Sequence, residues 1–217
     1  MIAAVMPIKL HNERLPGKNT MLLGGRPLLQ YELVNLRKTA LADSISVYCS
    51  DEAICGYIPD GIRFVKRPAY LDLPTSNFTQ IFSEFMKVID ADIYIYAHAT
   101  APFIQKDTMK RCVEAVESGK YDSAFCAVKI QDFLWKDNEP MNFDASNIPR
   151  SQELEPIFRE TSGVYVFRKE VFEKYGRRIG KNPYICEVNY KEAVDINTEA
   201  DFNLAQALLN YELQVIK

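Results

Sequence analysis

Short apolar runs alternate with amphipathic segments over the first two thirds of the chain. The apolar runs have the length and composition of buried strands, and they predict strands near Ile2–Met6, Ile45–Cys49, Ile62–Val65, Ile93–Tyr96 and Ser123–Val128. Between these runs, apolar residues at helical spacing predict helices over Pro27–Arg37 and Thr75–Ile89. Strands that alternate with helices are typical of βαβ units, so the pattern predicts an α/β fold around a mainly parallel sheet.

The second predicted helix has one strongly apolar face. The residues on that face recur at steps of three and four: Phe78, Ile81, Phe82, Phe85 and Ile89. A stripe at this spacing predicts packing against the sheet rather than an aromatic ligand site.

The pattern becomes irregular from Gln131 to Glu160, a stretch that contains Trp135 and several prolines. This stretch is too long for a simple connection in a compact domain, so we expect a functional lobe at 131–160. Regular patterns resume with strands predicted at Gly163–Phe167 and near Tyr184–Val188.

The chain ends in a predicted amphipathic helix. Thr198 is the expected N-cap, with Asp201 three residues later. The apolar face of this helix consists of Phe202, Ala205, Leu208, Leu209 and Leu213.

Composition narrows the class of protein. A chain of 217 residues with 47% hydrophobic and 25% charged residues is typical of one globular α/β domain. The net charge of −3 argues against a surface that wraps nucleic acid. Because no apolar run reaches the ~18 residues that span a bilayer and no secretion signal is evident, we expect a cytoplasmic protein without a membrane partner.

The metal-binding residue types Cys and His are few and scattered. Five cysteines show no CxxC pair, which predicts reduced thiols, and only two histidines are present, which argues against a zinc site.

The loop Lys9–Asn19 follows the first predicted strand and contains the basic residues Lys9, Arg14 and Lys18 beside Gly17. This chemistry suits an anionic ligand such as the phosphates of a nucleotide. The loop matches neither the P-loop nor the dinucleotide fingerprint. The alternative from the residues alone is a solvated loop whose charges contact nothing.

Three further polar segments lie beside predicted strands: Ser50–Asp51, His98–Pro102 and Asp195–Asn197. Loops at the carboxyl ends of parallel strands meet in one crevice, so we expect these segments to converge with Lys9–Asn19.

Asp195 and Asn197 fall on the same side of an extended segment, and their two oxygen donors can hold Mg²⁺. Alternatively, they only end one element and begin the helix. A rival carboxylate pair, Asp90 and Asp92, precedes a strand instead of following one, which predicts a solvated turn.

Two arginines flank the end of the irregular lobe, Arg150 and Arg159. The planar guanidinium suits a carboxylate, so either can clamp an acidic substrate, and either can equally be an exposed surface charge. His98 can donate to a base or ribose, or it is structural.

Read in order, these segments resemble the acylneuraminate cytidylyltransferases, the CMP-sialic acid synthetases, which are related to the CMP-ketodeoxyoctonate synthetases. The segments that carry the resemblance are Ile2–Pro7, Arg14–Asn19, Leu23–Leu28, Ser50–Asp51, Arg67–Ala69, Thr100–Pro102, Phe158–Arg159, Gly163–Phe167 and Val194–Glu199. Their order and spacing cover nearly the whole chain.

The resemblance implies a Rossmann-like nucleotidyltransferase fold that forms one domain over 1–217, with 131–160 as a small dimerisation and substrate lobe. It implies transfer of CMP from CTP to a nonulosonic or related sugar acid, with release of pyrophosphate and a requirement for Mg²⁺. It also implies a homodimer.

The resemblance assigns roles to individual positions. The expected nucleotide-binding residues are Lys9, Asn12, Arg14, Lys18, Asn19, Asn77 and His98. The expected catalytic residues are Lys18, Asp195 and Lys9, the sugar-acid arginines are Arg150 and Arg159, and the metal ligands are Asp195 and Asn197.

Three positions depart from the usual family pattern. Glu13 stands where the family has a lysine, Asn197 where it often has a second aspartate, and His98 where it often has glutamine. Two alternatives therefore stay open: a nucleotidyltransferase for another acceptor or nucleotide, and a nucleotide-binding homologue with impaired catalysis.

Overall fold

A seven-stranded sheet lies at the centre of the computed structural model, which describes residues 1–215 and the side chains through residue 212. Its strands are β1 (Ile2–Ile8), β4 (Ser44–Cys49), β5 (Arg63–Lys66), β6 (Ile93–Ala97), β7 (Ser123–Ile130), β10 (Ile157–Arg168) and β11 (Pro183–Glu187). Two short hairpins lie outside the sheet: β2 (Leu22–Leu23) with β3 (Arg26–Pro27), and β8 (Trp135–Lys136) with β9 (Glu139–Pro140).

The strand order is β11-β7-β10-β6-β1-β4-β5. Strand β10 runs antiparallel to both neighbours, β6 and β7, whereas the other four pairings are parallel. The prediction of a mainly parallel sheet flanked by helices is confirmed.

Five α-helices lie in the described chain: α1 (Leu29–Thr39), α2 (Phe78–Met86), α3 (Lys106–Glu117), α4 (Lys169–Tyr175) and α5 (Glu199–Val215). The period-two alternation of β1 sends Ala4, Met6 and Ile8 into a core with α1 and α3, and sends Ala3 and Val5 into a core with α2 and α4. Both faces of the sheet are therefore covered, as a parallel sheet requires.

The predicted strands agree with the structure to within about two residues, except that β10 begins at Ile157, six positions before the predicted start. Helix α2 is shorter than the segment 75–89, although its predicted apolar stripe is confirmed by the buried Phe82 and Phe85. The sequence reading missed α3 and α4. The extended segment expected at 194–197 joins no sheet.

The start of α5 agrees with the expected cap. The carboxylate of Asp201 accepts hydrogen bonds from Thr198 N at 2.8 Å and from Thr198 Oγ1 at 2.8 Å, and Asp201 N donates to Thr198 Oγ1 at 3.3 Å. On the apolar face, Ala205 is buried with Phe202, Leu208 and Leu209 packed nearby, and the side chain of Leu213 lies outside the described residues.

Two simpler predictions are also confirmed. Asp90 and Asp92 lie in an exposed turn, with side chains 76% and 82% exposed. The five cysteines form no disulfide; Cys55 is exposed and the other four are buried. Within residues 1–215, no helix is long and apolar enough to cross a membrane.

Glu32 is a fully buried carboxyl group on α1, and within the described chain neither of its carboxyl oxygens has a hydrogen-bond partner. The nearby Glu192 is also buried, but its carboxylate accepts hydrogen bonds from Gln105 N at 3.1 Å and from Thr108 Oγ1 at 2.6 Å. Burial, and then the charge of Glu192, raise the pKa of Glu32 well above its usual value.

We expect Glu32→Gln to flatten the pH dependence of stability. Because the folded state holds the Glu32 proton more tightly than the unfolded state, this group's contribution is complete below the unfolded pKa and is lost as pH rises through the folded pKa. Denaturant unfolding from pH 4 to pH 9 should show a smaller alkaline loss for the variant than for the wild type. Parallel profiles would show that Glu32 does not carry this effect.

Candidate functional site

Three segments meet in a cleft at the carboxyl ends of β1 and β6. The cleft has a volume of about 370 Å³ and is lined by residues from Lys9–Asn19, from His98–Thr100 and from Asp195–Asn197, together with Ser162 of β10. The fourth expected segment, Ser50–Asp51, does not line the cleft. Its side chains act locally instead, because Ser50 bonds to Asp72 and Asp51 accepts from Ala53 N at 2.9 Å.

Hydrogen bonds close the basic loop on itself and join the other two segments to each other. Asn19 Nδ2 donates to the Lys9 carbonyl at 2.9 Å and closes the basic loop on itself. Gly17, with φ of +67°, makes the left-handed turn that leads into Lys18, a conformation that glycine adopts without strain. Across the cleft, Ile196 N donates to the Thr100 carbonyl at 2.9 Å.

Asn197 connects the basic loop to Asp195. Its Oδ1 accepts from Arg14 Nη2 at 2.8 Å and from Lys18 Nζ at 3.1 Å, and its Nδ2 donates to Asp195 Oδ2 at 2.7 Å. Two cationic donors must face the amide oxygen and a carboxylate must face the amide nitrogen, so the chemistry of the neighbours sets the amide orientation. A carboxylate, two cations and an amide thus form one connected network.

Lys18 is the most buried of the three basic residues, with 8% of its surface exposed. Its ammonium also donates to the Ile196 carbonyl at 2.9 Å. Burial lowers the pKa of Lys18, while the charge of Asp195 opposes that shift. A desolvated ammonium interacts strongly with an anion that enters the cleft.

Asp195 fits the requirements of a metal ligand. Its Oδ1 is buried and has no hydrogen-bond partner among the described residues, whereas its Oδ2 is occupied by Asn197. Mg²⁺ usually takes one or two protein carboxylates and completes its shell with water and substrate phosphates. Asn197 Oδ1, the oxygen of the second expected ligand, accepts hydrogen bonds from two cationic side chains, Arg14 and Lys18.

Within the described chain, no group of three or more His, Cys, Asp or Glu side chains is arranged to hold a metal ion. A single free carboxylate oxygen beside three basic residues therefore suits a cation that arrives with phosphates.

His98 lies in the wall of the cleft against the rings of Tyr96 and Tyr165, at centroid distances of 5.2 and 5.8 Å. Burial, and then the positive charge of Arg178, lower the pKa of His98 to about 4. Its Nε2 is buried and lacks a hydrogen-bond partner in the described part of the chain. His98 is thus neutral near pH 7.

We expect His98→Gln to protect the protein against mild acid. Between pH 6.5 and pH 4 the unfolded state binds the His98 proton and the folded state does not, so stability falls as pH falls through this range. The full effect is about 3 kcal/mol. Denaturant unfolding at pH 7.5 and pH 4.5 should show a smaller acid loss for His98→Gln than for the wild type, with His11→Gln, at an exposed histidine, as the control. Equal losses in all three proteins would contradict this role of His98.

A second cavity, of about 310 Å³, adjoins the cleft and shares Lys9, Asn12, Arg14 and Lys18 with it. Glu13 also lines this second cavity, so a negatively charged residue lies among the cations. The Oδ1 of Asn12 is buried without a partner among the described residues and is available to a ligand donor.

Three predicted site residues do not line the cleft. Asn77 is exposed and caps α2, where its Oδ1 accepts from Gln80 N at 3.0 Å. Arg150 is 72% exposed and pairs with Glu153, and Arg159 is exposed on β10. The resemblance matches residue types along the sequence. It does not show that Asn77 caps a helix or that Arg150 and Arg159 are exposed.

The sequence reading also missed two groups near the site. Ser162 lines the cleft from β10. It lies where the pairing register of β10 with β7 shifts, between Glu160 and Tyr165. Arg178 lies in the connection between α4 and β11 and stacks on Tyr165, with its guanidinium carbon 3.7 Å from the ring centroid. A bulge and a stacking contact between distant segments leave no local pattern in the sequence.

A mainly parallel sheet that presents a basic loop and a free carboxylate at the carboxyl ends of its strands is the arrangement of an α/β protein whose ligand crevice lies at that edge of the sheet. The chain matches the model of the family described as cytidylyltransferase over residues 3–215, and it belongs to that family.

Individual relatives agree with this assignment. The chain is 25% identical to N-acylneuraminate cytidylyltransferase A of Danio rerio, over 94% of its own length and 50% of that protein. It is 24% identical to the pseudaminic acid cytidylyltransferase of Campylobacter jejuni, over 96% of its own length and 97% of that protein. The chain thus spans about half the length of some of the curated relatives it matches and nearly the whole length of others.

Among solved structures, the chain is similar to a CMP-2-keto-3-deoxy-manno-octonic acid synthetase that was determined in complex with CTP. The TM-score is 0.74 at 17% identity, and the superposition covers 97% of this chain and 99% of the other. This likeness supports the fold.

Proposed function

We propose that this protein transfers CMP from CTP to a nonulosonic, sialic-acid-like or related sugar acid and releases pyrophosphate. The observation that carries the proposal is the network in which Asn197 joins Arg14 and Lys18 to Asp195 inside one cleft. Cations for phosphates and a carboxylate for a metal are the groups that nucleotidyl transfer requires. Two relatives are named as cytidylyltransferases of sugar acids, and these names support the choice of nucleotide and acceptor.

In the proposed reaction, a hydroxyl of the sugar acid attacks the α-phosphorus in line with the leaving pyrophosphate. Lys18, Arg14 and Lys9 neutralise the charge that develops on the pyrophosphate. Asn12, Asn19 and His98 are proposed to shape the nucleotide side of the cleft. His98 is a poor base near pH 7, because burial keeps its pKa at about 4.

Mg²⁺ is the proposed cofactor, and Asp195 is the residue that would hold it. When bound there, Mg²⁺ would neutralise charge on the α-phosphate and lower the pKa of a coordinated hydroxyl. We propose that Asn197 positions Arg14, Lys18 and Asp195 around that site through its three hydrogen bonds.

We also propose a homodimer that forms through the lobe at 131–160. This lobe exposes large apolar side chains, with Trp135 58%, Met141 58% and Ile148 65% exposed. Three large exposed apolar side chains within one short lobe support an interaction surface there. Arg150 and Arg159 lie at the end of the same lobe, and we propose that they contact the sugar acid from there.

We expect Trp135→Glu to convert the dimer to a monomer. A charge in place of a large exposed ring is strongly unfavourable inside a buried interface, at a cost of several kcal/mol. Sedimentation velocity should show a dimer for the wild type and for Tyr190→Glu, a change at an exposed ring outside the lobe, and a monomer for Trp135→Glu. Three species of equal mass would contradict a lobe-mediated dimer.

We propose a cytoplasmic location, because the proposed substrate CTP is found in the cytoplasm.

A panel of the four nucleoside triphosphates tests the nucleotide choice. With Mg²⁺ and a set of nonulosonic acids, pyrophosphate should be released from CTP in preference to UTP, ATP and GTP. Release from another nucleotide, with none from CTP, would overturn the proposal.

Glu13 supports a second candidate, a homologue that binds nucleotide with weakened or altered catalysis. Glu13 lines the same cavity as Lys9, Arg14 and Lys18, and its negative charge repels a triphosphate placed there. Stabilisation by CTP in a thermal-shift measurement, without pyrophosphate release with any acid, would favour this candidate.

A further inference from the structure

A cavity of about 460 Å³ lies against the rings of Tyr96 and Tyr165, which also contact His98 of the cleft. It is lined by Phe78, Glu160, Arg177, Arg178, Ile179 and Gly180. Apolar side chains thus stand beside two guanidinium groups and one carboxylate. None of these residues has a role in the reaction proposed above.

Arg178 is held in a fixed position within this cavity. Its guanidinium lies over three rings, with its central carbon 3.7 Å from the centroid of Tyr165, 5.4 Å from that of Phe78 and 5.9 Å from that of Tyr96. The stacked rings pre-orient the planar fork, so little side-chain entropy is lost when a ligand binds.

The N–H donors of Arg178 make only one long hydrogen bond within the described chain. Among the described residues its one hydrogen-bond acceptor is Glu160, and the distance from Arg178 Nη2 to Glu160 Oε1 is 3.5 Å, at the long limit for such a bond. The same Oε1 atom accepts a shorter bond of 2.5 Å from the hydroxyl of Tyr165. Glu160 is therefore satisfied mainly by Tyr165, and the guanidinium fork stays free to take a better acceptor.

The cavity is adjacent to the nucleotide cleft. Arg178 and His98 both lie against the ring of Tyr165, and His98 lines the cleft. The charge of Arg178 is also felt at His98, where it helps to lower the pKa. A ligand bound at Arg178 thus lies beside the proposed site of nucleotidyl transfer.

We propose that Arg178 binds the carboxylate of the acceptor sugar acid, with Phe78 and Ile179 against its apolar substituents. This inference rests on the proposed function. In a nonulosonic acid the carboxylate and the attacking hydroxyl are bonded to the same carbon, so the group that binds the carboxylate must lie close to the nucleotide. Arg178 meets that condition within one subunit.

Two other arginines are less suited to binding the carboxylate. Arg150 pairs with Glu153 on the exposed lobe. Arg177 lines the same cavity, but its guanidinium already donates to the Gly180 carbonyl at 3.2 Å and lies over the Tyr175 ring at 5.2 Å.

The test compares each acceptor acid with its methyl ester, which lacks the negative charge. Arg178→Gln removes the cation, Arg178→Lys keeps the charge but loses the planar fork, and Arg63→Gln is the matched control at an exposed arginine on the edge strand β5. We expect Arg178→Gln to raise the KM for the acid by about 10- to 100-fold, the value of a charge-assisted paired hydrogen bond. The KM for CTP should stay within about twofold, and the preference for acid over ester should fall by the same factor as the KM rises.

Two controls separate this inference from the proposed function. If the wild type turns over and Arg178→Gln keeps both its KM for the acid and its preference over the ester, the inference is overturned while the function stands. If the wild type releases no pyrophosphate, calorimetric titration of acid and ester, with and without CTP, measures binding directly. Acid binding to the wild type that is lost in Arg178→Gln supports the site without the reaction. The absence of acid binding to the wild type overturns both the Arg178 site and the proposed function. Thermal melts of each variant identify any loss caused by unfolding, and in that case Arg178→Lys is used for the comparison.

Discussion

Asp195→Asn is expected to lower kcat for CMP transfer by about 10²- to 10⁴-fold, with little change in stability. The loss corresponds to the several kcal/mol that a metal ion contributes to stabilising transition-state charge. We expect this loss because the buried Oδ1 of Asp195 has no hydrogen-bond partner within the described chain and is therefore free to bind the metal. An amide in the same place still accepts the hydrogen bond from Asn197 Nδ2, so the fold of the cleft should persist.

The control for this prediction is Asp90→Asn. Asp90 carries an exposed carboxylate and lies in the turn before β6, at the end of the strand opposite His98. Initial rates of pyrophosphate release should be unchanged in this control. Activity of Asp195→Asn within about threefold of the wild type, at every Mg²⁺ concentration, would remove Asp195 from the mechanism.

Lys18→Met is expected to lower kcat by about 10²- to 10³-fold, the usual effect of removing one preorganised group that stabilises developing charge. The free energy of unfolding should change by only about 1 kcal/mol. Two effects on stability oppose each other. The variant no longer buries an ammonium whose pKa is lowered by desolvation, but it leaves the Ile196 carbonyl without its donor at 2.9 Å.

A matched control is Lys87→Met. Lys87 is an exposed lysine at the C-terminal end of α2, and among the described residues it pairs only with Glu84. Rates and thermal melts of both variants should separate catalysis from folding: Lys18→Met loses activity and stays folded, and Lys87→Met keeps both. If Lys18→Met retains full kcat, the buried ammonium does not act on the pyrophosphate.

The fold could be predicted largely from the hydrophobic pattern, because a doubly covered parallel sheet needs apolar strands and one apolar stripe on each helix. The failures have local causes. Helix α4 has only seven residues, too few to show a clear period, and β10 continues into the irregular lobe, where its exposed first residues lack the apolar signature.

The candidate site could be predicted in part. Lys18, Arg14 and Asp195 were identified because a basic loop after the first strand and an acid before the last helix are local features, and the sheet topology brings them together. The role of Asn197 as a bridge and the stacking of Arg178 on Tyr165 could not be predicted, since each depends on contacts between segments far apart in the chain.

The central claim is that CTP and a sugar acid react at this cleft to give a CMP-linked sugar acid. Its most direct test is to incubate the wild-type protein with CTP, Mg²⁺ and a panel of nonulosonic acids, and to quantify the products by mass spectrometry and pyrophosphate detection. We predict equal amounts of pyrophosphate and a CMP-sugar, with the bridging oxygen derived from an ¹⁸O-labelled acceptor hydroxyl. Folded protein that binds CTP yet forms no CMP-sugar with any acid, or that yields only free CMP, would contradict the claim.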